Sequence, residues 1–243
     1  MLAAPLPVTL AAEPACAPHV LAAAHRVLPT GAPLRLVADT AVWPADRLAD
    51  VVEGGGFSID EWRSVTGAGT DRWYVGATRA WSLPDTVQPG MRLLVCGLNP
   101  SPAAADAGVP FARPGNRFWP AALAARVVTR DRDPEHALAA HGIGMTDLVK
   151  TVTRRADELT RHQYAEGLAR VTRLVEWLRP GAVCFVGLAG WRAVVDARAE
   201  PGPQATALGG RPVYVMPSTS GLNARVALPV LAAHLGVAVS LGC

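Results

Sequence analysis

Two short polar loops in this sequence combine residue types that can hold a ligand. One is Gly97-Leu98-Asn99-Pro100-Ser101 and the other spans residues 217–223, Pro-Ser-Thr-Ser-Gly-Leu-Asn. Glycines and small polar residues let backbone N–H groups approach a bound molecule closely. An amide such as that of Asn99 can orient a water molecule but is a poor base. On composition alone, both loops could equally be ordinary turns between strands and helices.

Short apolar runs precede these loops and predict the elements that position them. Arg92–Cys96, Ala182–Val186 and Pro212–Met216 are rich in β-branched residues and follow Gly or Pro. Continuous apolar runs of this length are typical of buried strands in a parallel sheet. Because ligands bind beyond the carboxyl ends of such strands, both loops would lie on the binding edge.

Helical patterns alternate with these runs. Leu168, Val171, Val175 and Leu178 recur at spacings of three and four, which predicts a helix at about 163–178 that ends before Pro180. We expect shorter helices at about 191–197 and 228–235. Alternation of strand and helix predicts an α/β fold, a three-layer α/β/α sandwich with a short, mainly parallel sheet.

The composition excludes several classes of protein. Half of the 243 residues are hydrophobic and 18% are charged, which provides enough apolar surface for a core and excludes a disordered chain. The longest apolar run, at about 182–189, is far shorter than the ~20 residues of a membrane helix. No basic residue precedes Arg26, so we expect no secretory signal and no membrane association.

The cysteines and histidines do not indicate a metal site. The sequence has no Cys-x-x-Cys and no His-Glu-x-x-His, and its six histidines lack ligand spacing. Cys96 and Cys184 lie inside apolar runs and are predicted to be buried thiols. We therefore expect neither a metal nor an organic cofactor.

Charge divides the chain into two parts. Residues 1–82 hold 6 Arg and 8 Asp or Glu, a net charge of −2, whereas residues 83–243 hold 17 Arg or Lys and 12 Asp or Glu, a net charge of +5. Pro84, Pro89 and Gly90 punctuate the chain near the change of sign. We predict a domain boundary at about residue 82, with a small N-terminal α/β extension. The surplus of cations in the second part is compatible with nucleic-acid binding.

Five short sequence blocks in the second part of the chain occur in an order that is typical of one enzyme family. They are Gly97–Pro100, Pro110–Ala112, Pro114–Trp119, Gly142–Val149 and Met216–Leu222. Together, over about residues 83–236, they resemble the mismatch-specific uracil-DNA glycosylase (Mug) and thymine-DNA glycosylase family. The resemblance implies a monomeric enzyme of the bacterial cytoplasm that flips uracil out of DNA and removes it by hydrolysis in base excision repair, with a preference for G·U mispairs. Its partner would be uracil-containing DNA.

The resemblance also assigns site residues. Asn99 would orient the attacking water, Leu98, Phe111 and Ser101 would line the base pocket, and Leu222 would enter the duplex as a wedge. Arg117 and Arg225 would contact phosphates. Further DNA contacts would come from Ser218, Ser220, Gly221 and Asn223.

Asp147 departs from the family pattern, which has Asn or Lys at the matching position. Its carboxylate could activate water beside Asn99 or accept the N3–H of uracil, so we predict a catalytic role. The alternative is an N-cap for a helix beginning at Leu148.

Two further alternatives remain at this stage. A catalytically weak DNA-lesion or mismatch-binding module would keep Leu222 and Phe111 but would not depend on Asn99. A nucleotide hydrolase of another type is disfavoured because neither a Ser-His-Asp set nor a P-loop is visible.

The N-terminal part has its own resemblance. His25–Gly31, Leu34–Ala38 and Trp73–Thr78 resemble the late helix and strands of class I methyltransferases. No Gly-x-Gly follows a strand upstream, so the resemblance implies a docking or packing remnant rather than a methyltransferase.

Overall fold

The chain divides into two compact units, Met1–Asp85 and Thr86–Cys243. A computed structural model describes residues 8–10, 14–66, 71–221, 223 and 225–242. Within these ranges, no helix is long and apolar enough to cross a bilayer.

The N-terminal unit is built on a four-stranded, mostly antiparallel sheet. Its strand order is β1-β2-β4-β3, with β2 and β3 antiparallel to β4 and β1 parallel to β2. Leu34, Leu36, Val75 and Ala77 are buried while the neighbouring Arg35 and Tyr74 are exposed, so one face of the sheet carries the core. The elements are β1 (Val8–Thr9), α1 (Ala17–Val27), β2 (Pro33–Asp39), α2 (Ala45–Gly54), β3 (Phe57–Val65) and β4 (Arg72–Arg79), with a 3₁₀ turn at Pro14–Cys16.

The C-terminal unit contains a five-stranded sheet of order β6-β5-β7-β9-β8. The first four strands are parallel and β8 is antiparallel to β9, which confirms the short, mainly parallel sheet. The strands are β5 (Leu93–Gly97), β6 (Ile143–Asp147), β7 (Ala182–Val186), β8 (Gly202–Pro203) and β9 (Val213–Met216). Because β5, β6, β7 and β9 are parallel, the loops that follow them leave from one edge of the sheet.

Helices cover both faces of this sheet and confirm the three-layer arrangement. Leu94 and Cys96 of β5 belong to a core cluster with α6 and α7, whereas Leu93 and Val95 belong to a cluster with α4 and α8. This alternation follows from the two-residue period of a strand. The helices are α3 (Pro102–Ala107), α4 (Phe118–Ala124), α5 (Pro134–His141), α6 (Arg161–Leu178), α7 (Ala189–Val194) and α8 (Leu228–Ser240), with a 3₁₀ turn at Ala156–Glu158.

The helix boundaries follow from local chemistry. α6 begins two residues before its predicted start because Thr160 and Gln163 form a capping box, and it ends where Arg179 adopts a left-handed conformation before Pro180. α8 extends to Ser240 instead of ending at Leu235, since the apolar residues after Gly236 continue to pack, with Ala238 and Val239 buried.

Buried thiols lie in two central strands. Cys96 and Cys184 are free and buried, as predicted from their apolar surroundings. Burial raises the pKa of the Cys184 thiol to about 12. Cys184 is therefore a protonated core residue at neutral pH rather than a reactive thiolate.

Candidate active site

Asn99 lies two residues beyond β5, and its side-chain amide is held by the loop after β6. Nδ2 donates to the Thr151 carbonyl oxygen at 2.9 Å and to the Thr153 Oγ1 at 2.8 Å. The Thr153 hydroxyl in turn donates to the Arg155 carbonyl oxygen at 2.9 Å. Because both amide hydrogens are held by the protein, Oδ1 is the atom available to orient a water molecule.

Asp147 ends β6 opposite Gly97 of β5 and is only 6% exposed. A Cβ atom added to Gly97 would lie 2.4 Å from Oδ1 of Asp147 and 3.5 Å from Cζ of Phe111. The carboxylate and the phenyl ring therefore both lie beside Gly97, two residues before Asn99. Only glycine fits at position 97 without displacing Asp147. The part played by Gly97 was not foreseen, although its place in the first polar loop was a signal.

The interpretation of Asp147 as a helix N-cap is wrong. Leu148 N donates to the Gly97 carbonyl oxygen at 2.9 Å and Val149 N to that of Leu98 at 3.0 Å, so the chain continues along β5 after Asp147. The next helical turn in the described chain begins only at Ala156. An N-cap side chain accepts hydrogen bonds from backbone N–H groups of the first helical turn. Here the N–H groups of Leu148 and Val149 bond to β5 and the residue after it instead.

A buried arginine of α6 supports the end of β6. Arg170 is 2% exposed, and its Nη2 donates to the Asp147 carbonyl oxygen at 2.7 Å and to the Thr146 Oγ1 at 3.0 Å. Gly167, one turn earlier, allows the helix to come this close, since a Cβ there would lie 2.0 Å from the Leu148 carbonyl oxygen. Sequence reasoning missed Arg170, although an arginine between Gly167 and Leu174 on the buried side of a helix was a signal.

Phe111 is held in an uncommon backbone conformation. Its φ is 58°, in the left-handed region that costs a non-glycine residue on the order of 1 kcal/mol. Stacking stabilises it, because its ring lies 4.2 Å from that of Phe118 at an interplanar angle of 22°. Trp119, next to Phe118, donates through Nε1 to the Pro110 carbonyl oxygen at 2.7 Å. The surroundings thus fix the orientation of the Phe111 ring.

The loop after β9 is closed by its own polar groups. Asn223 donates through Nδ2 to the Ser218 carbonyl oxygen at 2.9 Å and through its backbone N–H to that of Ser220 at 2.9 Å. Ser218 Oγ accepts from the Ser220 N–H at 3.3 Å. Gly221 and Arg225 are exposed. Leu222, the predicted wedge, lies outside the described residues.

Arg117 is half-buried and donates hydrogen bonds to this loop. Its backbone N–H donates to the Thr219 carbonyl oxygen at 2.9 Å, its Nη2 to that of Asn223 at 2.6 Å, and its Nη1 to that of Val226. Both Nη groups are thus engaged with the protein through one contact each, and the predicted phosphate contact at Arg117 stays a prediction. Arg225, being exposed, remains a candidate for that role.

A comparison with known families decides the identity of the C-terminal unit. A family model described as the uracil DNA glycosylase superfamily matches residues 84–230. The chain belongs to this superfamily. The match contains Asn99, Phe111, Asp147 and the loop after β9, and it makes the chain a DNA glycosylase, a hydrolase that acts on DNA. It does not extend over the N-terminal unit, whose methyltransferase resemblance it does not support.

Two residues that the resemblance placed in the glycosylase base pocket also have structural tasks. Ser101 Oγ accepts from the Ala104 N–H at 3.3 Å and caps α3. Leu98 is half-buried and packs towards Gly190 of α7, where an added Cβ would lie 3.0 Å from its Cδ1. Their contact with a flipped base stays a prediction.

Proposed function

We propose that this member of the superfamily is a monofunctional enzyme that hydrolyses the bond between uracil and deoxyribose in DNA. The observation that carries the proposal is the Asn99 amide, whose hydrogens are held by Thr151 and Thr153 so that Oδ1 can orient water. An amide fixed in this way contributes by positioning the nucleophile.

The reaction begins once the nucleotide has left the base stack. The flipped uracil stacks on Phe111 while the water on Asn99 Oδ1 faces the anomeric carbon. The C–N bond then breaks with its electron pair staying on uracil, and the water oxygen bonds to the sugar. Backbone N–H groups at the strand ends stabilise the departing uracil anion, and the water gives up a proton.

Asp147 takes that proton in our proposal. Its carboxylate is almost fully buried and lies beside Gly97, the last residue of the neighbouring strand β5. Asn99 follows Gly97 by two residues. A carboxylate near the sugar favours the positive charge that develops there. Repulsion between this anion and the departing uracil anion opposes the reaction, so the role requires the carboxylate to lie nearer the sugar than the base.

We further propose that G·U mispairs are preferred. This rests on the resemblance of the 216–222 block to Mug and thymine-DNA glycosylases, in which the loop enters the duplex and reads the widowed partner base. Ser218 and Asn223, which shape the loop here, stand where bacterial Mug has other polar residues. The enzyme would work as a monomer on uracil-containing DNA.

One assay tests the proposal against a lesion-binding module. Uracil-containing duplex and single-stranded DNA are incubated with the protein, and abasic sites are revealed as strand breaks by alkali. G·U, A·U and G·T duplexes of otherwise identical sequence serve as matched substrates. We expect cleavage that depends on uracil and is fastest for G·U, whereas tight binding without any cleavage would establish the binding module instead.

A further inference from the structure

Arg117 connects the loop after β9 to the buried aromatic residues Phe118 and Trp119 at the start of α4. Its three donors reach the carbonyl oxygens of Thr219, Asn223 and Val226, which lie before, within and after residues 221–225. A guanidinium presents its donors in a rigid planar fork, so holding two carbonyl groups at once restricts the loop more than a single contact would.

The anchor behind Arg117 is rigid. Phe118 and Trp119, which follow it directly, are each 1% exposed, and Asn116 Oδ1 accepts from the Phe118 N–H at 2.9 Å. Gly115 lies against the same loop, since a Cβ on Gly221 would be 3.0 Å from the Gly115 carbonyl oxygen. Residues 115–117 therefore fix the position of the loop relative to the buried start of α4.

The bonds inside the loop do not have this effect. Those of Asn223 to Ser218 and Ser220 join residues of the same turn and do not connect the turn to α4. Arg117 Nε is buried and has no hydrogen-bond partner among the described residues, so this edge of the guanidinium faces the protein, while the residue as a whole is half-buried. A phosphate contact would instead keep its donors open to the solvent side.

We infer that Arg117 is a positioning residue that presets the 218–226 loop for opening the duplex, and thereby sets how well double-stranded substrate is used relative to single-stranded substrate. The inference rests on the proposed function. Because Arg117 already holds the carbonyl groups of Thr219, Asn223 and Val226, less conformational entropy is lost when the loop enters the duplex. More of the binding free energy of the loop then opposes the cost of unstacking. A single strand presents no base pair to open.

The test uses Arg117→Met, which removes the side-chain donors, and Arg117→Lys, which keeps the charge but lacks the planar fork. Arg113→Met is the matched control, because Arg113 is an exposed arginine of the same segment. Single-turnover uracil release is measured on a G·U duplex and on the same strand alone. The salt dependence of duplex binding is measured in parallel.

We expect both Arg117 variants to release uracil from duplex roughly tenfold more slowly and from single strands within about twofold of wild type, with an unchanged salt slope. Equal losses on both substrates would overturn the inference. So would normal activity of Arg117→Lys together with a salt slope that falls by about 0.9 in Arg117→Met, because that is the signature of one lost phosphate contact.

A second readout separates this inference from the proposed function. The fluorescence of 2-aminopurine placed beside the uracil reports base extrusion without any chemistry. A wild-type protein that releases no uracil refutes the proposed function, yet reduced extrusion in both Arg117 variants would still support the inference. Unchanged extrusion in these variants would refute it, whether or not uracil is released.

Discussion

Two regions at the same edge of the sheet, the residues around Asn99 and Asp147 and the loop after β9, are positioned in different ways. Asn99 and Asp147 are held by bonds within the sheet edge and by Arg170, which is almost fully buried. The loop after β9 exposes Gly221 and Arg225 and is tied to the core by Arg117. In our proposal, chemistry takes place at the more deeply buried region and the loop after β9 opens the duplex.

In both regions an arginine side chain donates hydrogen bonds to backbone carbonyl groups. Arg170 donates to Asp147 and Arg117 to Asn223. The difference is burial, because removing a buried donor leaves its acceptors without water as well as without a partner. Because Asn99 and Asp147 act on the flipped nucleotide in our proposal, changes near them should affect every substrate alike. Changes at the loop after β9 should depend on whether the DNA is double-stranded.

Asn99→Ala carries the largest expected effect. Single-turnover uracil release should fall on the order of 10²-fold or more on duplex and single strand alike, because the water loses its orienting group. Duplex affinity, measured by anisotropy, should stay near that of wild type. A variant that keeps its single-turnover rate would contradict the role of Asn99.

Asp147→Asn and Asp147→Ala come next. Neither an amide nor a methyl group can accept the proton that Asp147 takes in our proposal, so single-turnover uracil release should slow by about 10²-fold in both variants. If the two variants keep the wild-type rate, Asp147 is a structural residue.

Arg170→Met should lower both stability and activity. Unpairing the buried Asp147 carbonyl group and the Thr146 hydroxyl should cost about 1–3 kcal/mol in urea unfolding. Uracil release should slow roughly tenfold, equally on duplex and single strand. Arg161→Met, at the exposed start of the same helix, is the control. A loss of uracil release confined to duplex DNA would contradict the expectation that Arg170 acts on all substrates alike.

Leu222→Ala tests the other side of that contrast. If Leu222 is the wedge, release from a well-paired duplex should slow by about tenfold, with the smallest effect on a single strand, since the wedge offsets only the cost of unstacking. The measurement is the ratio of single-turnover rates on the two substrates. Losses of the same size on both would mean that Leu222 supports the fold rather than the opening of DNA.

Thr153→Val should have the smallest effect. It removes one of the two strong contacts of the Asn99 amide and should slow release several-fold on all substrates. Thr151→Val is a matched control, because Asn99 binds the backbone carbonyl of Thr151 and not its side chain. Equal rates for the two variants would show that the Thr153 hydroxyl does not orient Asn99.

Local patterns predicted the central part of the fold. Apolar runs located β5, β7 and β9 to within a residue or two, since a strand buried on both faces needs apolar residues throughout. The 3.6-residue period located α6. β6, Ile143–Asp147, was missed because its glycine and threonine dilute the apolar pattern, and the pairing of β6 with β5 spans about fifty residues.

The sequence by itself determined the superfamily, the alternating α/β order and the polar residues at the strand ends. It did so because these features depend on residue types at short spacing. Only the tertiary structure decided that the Asn99 amide meets Thr153, that Arg170 lies under Asp147, and that Arg117 holds the loop after β9. These contacts join residues between 23 and 106 positions apart, so they arise from the packing of whole helices and strands rather than from any local preference.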